Sequence, residues 1–329
     1  MLNFFKSNNP AVVVFYIAYL ILFRVCLWFV PVDFAFAFNY HEPLSALLFG
    51  ALQSLGKTYP LVSTMAAATL TFIQALLVNG MVNNNKITNR KNYLGGLLFI
   101  IYTSFFPQNL FLSPVLISTT FLVLATGKIF GLIRKEKNHG DIFDVGFLAA
   151  LSTLFYVPAV VFVLFAYIGL GTVRPFIYRE WVIMLLGMIA PIFLCFTFYY
   201  FTDRAAPQLF YSGWMDGLKV SPYQWINLGC VALFGLASLI LVPTAIYSSL
   251  IQVRKFVTLL AFSLLVILAS FFLQSSANLS HTVLLALPFS VLGTMVLLQI
   301  KNELISEVTH LILILLLLTG QFLPLLNIF

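Results

Sequence analysis

The sequence predicts an all-α fold, a polytopic transmembrane helical bundle of about eleven helices, and three observations support that prediction. The 329-residue chain is 61% hydrophobic and only 8% charged, whereas soluble domains carry about 25% charged residues. Its apolar residues fall in runs close to the length of a membrane-spanning helix, about 17–25 residues. Most of its Lys and Arg residues lie in short clusters between those runs, as they do in cytoplasmic loops. Lipid is therefore expected to cover most of the apolar surface.

Polar, basic or proline-containing segments divide the chain into eleven predicted crossings. These are residues 11–30, 60–82, 93–106, 109–127, 142–157, 159–173, 181–201, 224–248, 256–274, 280–299 and 305–326. Asn9 followed by Pro10 is a typical helix start, and Pro60 begins the second helix in the same way. The first run is expected to be a retained helix and not a signal peptide, because it is long and only Lys6 precedes it as a basic residue.

Two segments, 93–127 and 142–173, allow either one long kinked helix or a pair of short helices broken at Pro107 and Pro158. With eleven crossings, 13 of the 17 Lys and Arg residues fall on one side. Merging 93–127 would move the basic residues of 128–137 to the other side, against the positive-inside rule. The pairs are therefore favoured, with a cytoplasmic N-terminus in a bacterial inner membrane.

A shorter amphipathic segment follows the first helix. One helical face of residues 44–55 carries Leu44, Leu47, Leu48, Ala51, Leu52 and Leu55. Twelve residues of helix span only about 18 Å, which is too short to cross a bilayer. An external interfacial helix is predicted, with Pro43 at its first turn and Glu42 at the positive end of its dipole. The chain then divides into a first module (1–201), an external loop (202–223) and a C-terminal region of four helices (224–329).

The segment between the first helix and this amphipathic helix holds the predicted catalytic residues, Asp33, His41 and Glu42. A carboxylate at the mouth of a lipid-facing cavity can deprotonate a hydroxyl group or hold a divalent metal ion, so Asp33 and Glu42 are also the candidate metal ligands. A histidine beside a carboxylate can transfer a proton. The alternative is that all three are ordinary loop residues and that Glu42 only begins a helix.

Five residues are candidates for binding a substrate phosphate or sugar. Arg24 lies within the first helix, where a charge is a functional hypothesis by default, although its side chain could instead extend to the interface. Arg204, Trp214 and Lys219 lie in the external loop, and His281 is predicted on the same side. The alternative for the loop residues is an aromatic belt with solvated charges.

Several function classes are not supported by the sequence. The three cysteines, Cys26, Cys195 and Cys230, lie in apolar runs without paired spacing, which argues against a disulfide framework or a zinc site. The sequence has no nucleotide-binding or hydrolase motif. Its basic clusters alternate with apolar runs, so nucleic acid is not an expected partner.

The layout resembles the N-terminal module of GT-C-type glycosyltransferases, which are membrane enzymes that use polyprenyl-phosphate sugars. The resemblance covers residues 1–201 and rests on three stretches: 31–43 resembles the acidic catalytic loop, while 86–113 and 133–168 resemble two basic turns with proline-broken hairpins. The paired acidic motif of the family is reduced here to Asp33, with Glu42 further along. The chain also resembles uncharacterised bacterial polytopic membrane proteins of similar length.

The resemblance implies glycosyl transfer from a polyprenyl-phosphate sugar at the external leaflet. Asp33 would be the base or metal-binding acid, with Glu42 second, and Arg24, Arg204 or Lys219 would hold the phosphate. The alternatives are a non-catalytic membrane subunit of an envelope assembly and a carrier of lipid or another hydrophobic solute. A membrane lipid is the expected partner in each case.

Overall fold

The structure is a computed structural model that describes residues 2–28, 42–58, 60–134, 138–203, 222–246, 250–274, 279–300 and 302–326. These residues form helices, and no strand occurs among them. The α-helices are α1 (Leu2–Lys6), α2 (Val13–Leu22), α3 (Pro43–Thr58), α4 (Pro60–Asn84), α5 (Leu94–Thr103), α6 (Pro114–Gly131), α7 (His139–Phe155), α8 (Phe162–Val173), α9 (Tyr178–Phe201), α10 (Pro222–Ile246), α11 (Ile251–Ser270), α12 (Ala286–Gln299) and α13 (Glu303–Leu326).

The length and composition of these helices make the chain a membrane protein. Among the described residues, seven helical segments are long and apolar enough to cross a bilayer: Pro10–Leu27, Leu61–Asn84, Pro114–Gly131, Tyr178–Phe201, Ile251–Leu273, Leu279–Gln299 and Glu303–Phe322. Large apolar side chains point outwards from them, such as Leu61, Phe193 and Leu265, each more than 60% exposed. Exposing so much apolar surface to water would be unfavourable, and lipid removes that cost.

Two short, almost fully buried helices form the centre of the bundle. Every residue of α5 is buried, and α12 is buried from Ala286 to Met295. The two helices pack against each other, and α4, α10 and α11 surround them. The hydrophobic core includes residues from both sides of segment 202–223 in the sequence, and so it is shared by the two flanking regions.

The two segments that allowed either long kinked helices or short pairs are broken in the structure. A 3-10 turn at Pro107–Leu110 separates α5 from α6, and a second turn at Val157–Val161 separates α7 from α8. Nη2 of Arg174, just after α8, donates a hydrogen bond to the carbonyl oxygen of Leu132, just after α6. The chain therefore returns at the end of α8 to the end of the bundle from which α7 starts.

That end of the bundle holds the ion pairs that the structure describes. Lys128 contacts Asp141 at 3.0 Å and Asp144 at 2.7 Å. Arg174 pairs with Glu180, and both side chains are largely buried. Pairing is needed there because a buried charge without a partner is very unfavourable.

The helix α3 includes the whole predicted amphipathic segment, 44–55. Its buried face also contains residues that do not belong to the predicted leucine face. Ser45 is fully buried and Phe49 is 6% exposed, whereas Leu48 is 37% exposed. Ser45 can face the protein because its hydroxyl donates to the carboxylate of Glu42 at 2.9 Å. The helix packs against α4 and α7.

Candidate functional site

Of the predicted site residues, the structure describes Glu42, Arg24 and His281. Asp33, His41, Arg204, Trp214 and Lys219 lie outside the described residues, and their roles stay predictions. The predicted metal site at Asp33 and Glu42 therefore stays a prediction as well. Among the described residues, no three His, Cys, Asp or Glu side chains are grouped as metal ligands.

Glu42 stands at the start of α3, as the sequence predicted. Its backbone carbonyl accepts the N–H of Ala46 at 2.8 Å, and its carboxylate accepts the hydroxyl of Ser45. The next residue, Pro43, is fixed to the far end of α9, because the hydroxyl of Tyr199 donates to the Pro43 carbonyl at 2.8 Å. These three hydrogen bonds fix the start of α3 at the end of the bundle opposite the ion pairs, and the bond from Ser45 orients the Glu42 carboxylate there.

An apolar cavity of about 350 Å³ lies directly beside this helix start. It is lined by Leu44 and Leu47 of α3, Phe147 and Leu151 of α7, and Pro191, Leu194, Cys195 and Phe198 of α9. Its lining is almost entirely apolar, so a hydrocarbon chain is the ligand that fits it, because polar groups would lose their hydrogen bonds to water there. The apolar cavity and the Glu42 carboxylate therefore lie at the same end of the molecule.

Two walls of the cavity come from α7 and α9, which pack closely against each other. The two helices touch at Gly146 and Gly187, where an added Cβ would overlap the facing backbone carbonyl of Met184 or Phe143. Small residues of this kind allow helix backbones to approach closely.

His281, which the sequence suggested as a substrate-binding residue, lies inside the helical bundle. Its side chain is fully buried. Its Nδ1 atom lies 2.7 Å from the hydroxyl of Tyr156, and its Nε2 atom lies 2.8 Å from the hydroxyl of Ser270. With both ring nitrogens bonded to protein, His281 connects the α7–α8 turn to α11. Its predicted role in substrate binding stays a prediction.

The hydrogen-bond pattern around His281 assigns its tautomer. The Ser270 hydroxyl donates to the carbonyl of Ile267 at 2.6 Å, so its oxygen accepts from the imidazole. Nε2 therefore carries the proton, and Nδ1 accepts the proton of the Tyr156 hydroxyl.

Arg24 lies at the end of α2 with its side chain largely buried. Its Nη1 atom donates to the carbonyl of Leu20 at 3.2 Å, and its Nε atom has no hydrogen-bond partner in the part of the chain that the structure describes. A buried guanidinium with an unused donor can bind an anion. The environment of Arg24 is compatible with its predicted role in holding phosphate, and that role stays a prediction.

Sequence reasoning missed three polar residues of this region, Tyr156, Ser270 and Tyr199. Tyr156 had a usable signal, because it directly precedes the Val157–Pro158 break between two apolar runs. Ser270 had none, because a serine hydroxyl inside an apolar helix commonly bonds to its own backbone. Tyr199 had none, because tyrosine is common in apolar membrane segments and nothing near it in the sequence indicates its partner. Their partners come from distant helices.

The fold and the site define an all-helical, multi-span membrane protein with an acid and an apolar cavity at one end. The chain belongs to a family of unknown function (DUF6427), whose model matches residues 43–329. No curated protein and no solved structure matches it.

Proposed function

We propose that this chain is a GT-C-like glycosyltransferase that takes a sugar from a polyprenyl-phosphate donor at the external leaflet of a bacterial inner membrane. The observation that carries the proposal is the apolar cavity lined by Leu44 and Leu47, immediately after Glu42. A polyprenyl phosphate has a long apolar chain and a charged head. Such a molecule needs an apolar groove that ends near polar, catalytically useful groups.

The proposed arrangement uses eleven crossings with a cytoplasmic N-terminus. The short helices α5, α7 and α8 would then cross as members of hairpins, and α3 would lie in the outer interface. The aromatic residues at the two ends of α9 support such a crossing: Phe176 and Tyr178 at one end, and Tyr200 and Phe201 at the other, are all more than 70% exposed. Exposed aromatic side chains of this kind are typical of the two membrane interfaces.

In the proposed mechanism Asp33 is the base or metal-binding acid, and Glu42 assists it from the start of α3. Arg24, Arg204 or Lys219 would bind the donor phosphate, with charge stabilisation and positioning supplying most of the rate enhancement. The donor chain would lie against Leu151 and Leu194 in the cavity. The helix α3 would then cover the cavity from the outside.

The experiment that tests the proposal compares Asp33→Asn with Glu42→Gln in a strain that lacks the wild-type protein. Loss of a proton-transfer residue typically costs about 10²–10⁴-fold in rate, so Asp33→Asn should abolish function with normal expression. Glu42→Gln should cost less if its main role is at the helix start, where dipole interactions contribute about 0.3–1 kcal/mol. Full function of Asp33→Asn would favour the non-catalytic subunit instead.

A second arm of the experiment tests the cavity. Leu151→Trp places a larger side chain in the cavity and should reduce photo-crosslinking of a diazirine-labelled polyprenyl phosphate to the purified protein. The matched control is Leu164→Trp on α8, where the leucine is 59% exposed and lies away from the cavity. Equal crosslinking of the two variants would contradict the assignment of the cavity to the donor chain.

A further inference from the structure

The turn between α4 and α5 presents three exposed cations, Lys86, Arg90 and Lys91. No acidic residue occurs between residues 85 and 93. The positive charge of this turn is therefore concentrated within six residues and is not balanced locally.

Hydrogen bonds and buried side chains hold this turn in one conformation. The Asn83 side chain donates to the carbonyl of Asn92 at 2.8 Å, and the backbone N–H of Asn92 donates back to Asn83 Oδ1 at 3.2 Å. The Asn92 side chain, itself fully buried, also donates to Thr88 Oγ1 at 2.9 Å. Ile87 is 3% exposed and anchors the turn between the cations. A ligand would thus meet a turn whose backbone is already ordered, which lowers the entropic cost of binding.

Three other cations at the same end of the bundle, Lys128, Arg174 and Lys6, lie close to acidic residues. Lys128 contacts two aspartates and Arg174 contacts Glu180. Lys6 lies close enough to Glu303 for the carboxylate to raise its pKa, although partial burial has the larger effect and lowers it. In contrast, no ion pair among the described residues includes Lys86, Arg90 or Lys91.

The turn also stands at the level where lipid headgroups would be found. It begins directly after Asn84, the last residue of an apolar segment long enough to span a membrane. The chain then enters α5, which is entirely buried. Basic residues immediately beside a membrane-spanning helix are attracted to anionic lipids.

We propose that the turn 85–91 is a binding site for the headgroup of an anionic phospholipid, contacted by Lys86, Arg90 and Lys91. In the proposed topology this lipid belongs to the cytoplasmic leaflet. The site is separate from Glu42 and the apolar cavity, so it goes beyond the proposed glycosyl transfer and does not depend on it.

The test measures binding of phosphatidylglycerol to the full-length protein in a neutral detergent by native mass spectrometry, with phosphatidylcholine as the neutral lipid. The triple variant Lys86→Gln/Arg90→Gln/Lys91→Gln should bind phosphatidylglycerol more weakly by about fivefold per cation, on the order of a hundredfold in total. Added salt should weaken the wild-type complex, because it screens exposed charges.

The matched control removes the same charge elsewhere at the same end of the bundle, in Arg179→Gln/Arg254→Gln/Lys255→Gln. This variant should lose less than about fivefold in affinity. Equal losses in the two triple variants would overturn a site at the turn and leave only general attraction. Competition by free inorganic phosphate as effective as that by the lipid would overturn the lipid as its occupant.

A third variant keeps all the charges and removes the hydrogen bonds that order the turn. Asn83→Ala should weaken phosphatidylglycerol binding severalfold, while a thermal-unfolding measurement on the same sample checks that the protein is folded. Unchanged affinity in a folded Asn83→Ala protein would overturn a pre-organised site.

Discussion

At the scale of single residues, the cluster of Tyr156, His281 and Ser270 shows how a buried polar residue is accommodated in an apolar bundle. His281 is fully buried, and an unsatisfied ring nitrogen there would be costly. The hydroxyls of Tyr156 and Ser270 satisfy both nitrogens at 2.7 and 2.8 Å. The ring also packs edge-on against Phe271, with 4.2 Å between the centroids. Two hydrogen bonds and one aromatic contact therefore fix the orientation of the His281 ring.

The cluster predicts a measurable coupling between Tyr156 and His281. Tyr156→Phe removes the donor to Nδ1, and His281→Leu removes both hydrogen bonds of the ring. Tyr156→Phe should lower the free energy of unfolding by about 0.6–1.7 kcal/mol, the average and the maximum for one such bond in membrane helices, and His281→Leu by up to about twice as much. The double variant should cost less than the sum, because the shared bond is lost only once. Equilibrium unfolding in mixed micelles provides the measurement, and strictly additive losses would contradict the hydrogen bond.

At the scale of elements, the contact between α7 and α9 depends on glycine. Gly146 and Gly187 let the two backbones approach until each glycine faces a carbonyl of the other helix. This close approach is how helices gain packing energy in lipid, where no hydrophobic effect drives them together.

The contact predicts opposite effects for two glycine-to-alanine substitutions. Gly146→Ala places a methyl group against the Met184 carbonyl and should destabilise the protein by about 1–3 kcal/mol, the usual cost of overpacking. Gly131→Ala is the control, because the space around Gly131 is open, and alanine is favoured over glycine in a helix by about 0.8–1 kcal/mol. Thermal unfolding of both variants would decide, and equal midpoints would show that α7 and α9 do not meet at this glycine.

At the scale of the whole molecule, segments distant in the sequence meet at two opposite ends. The backbone N–H of Tyr93 donates to the Phe5 carbonyl at 2.8 Å, and Phe130 packs on Phe256 with 4.3 Å between the ring centroids. At the opposite end, the Gln321 side chain donates to the Ser104 carbonyl at 2.6 Å. The described parts of the basic segments that the positive-inside rule assigns to the cytoplasm thus gather at one end.

The proposed eleven crossings predict which loops are reached from each side of the membrane. In a variant with Cys26, Cys195 and Cys230 replaced by alanine, a cysteine at Asn138 should react with an impermeant maleimide only from the cytoplasm. A cysteine at Ser212 should react only from outside. Detergent-permeabilised cells serve as the control for reactivity. Labelling of both cysteines from the same side would refute the topology.

Several helix boundaries of the fold can be predicted from the positions of proline in the sequence. The predicted start at Pro60 and the predicted breaks at Pro107 and Pro158 coincide with helix boundaries in the structure. Proline acts locally, by fixing its own φ and removing one N–H, and so its effect can be predicted from the sequence. The position of Glu42 at the start of α3 was predictable for the same reason.

The sequence by itself determined that this is a helical membrane protein, because hydropathy is a local property of the chain. Only the tertiary structure decided that His281 is buried against Tyr156, 125 residues away in sequence, and that Leu44, Leu151 and Leu194 surround one cavity. In lipid the apolar pattern cannot specify partners, because every helix is apolar on most faces. The small residues and the few buried polar groups select them, and their pairing exists only once the helices have packed.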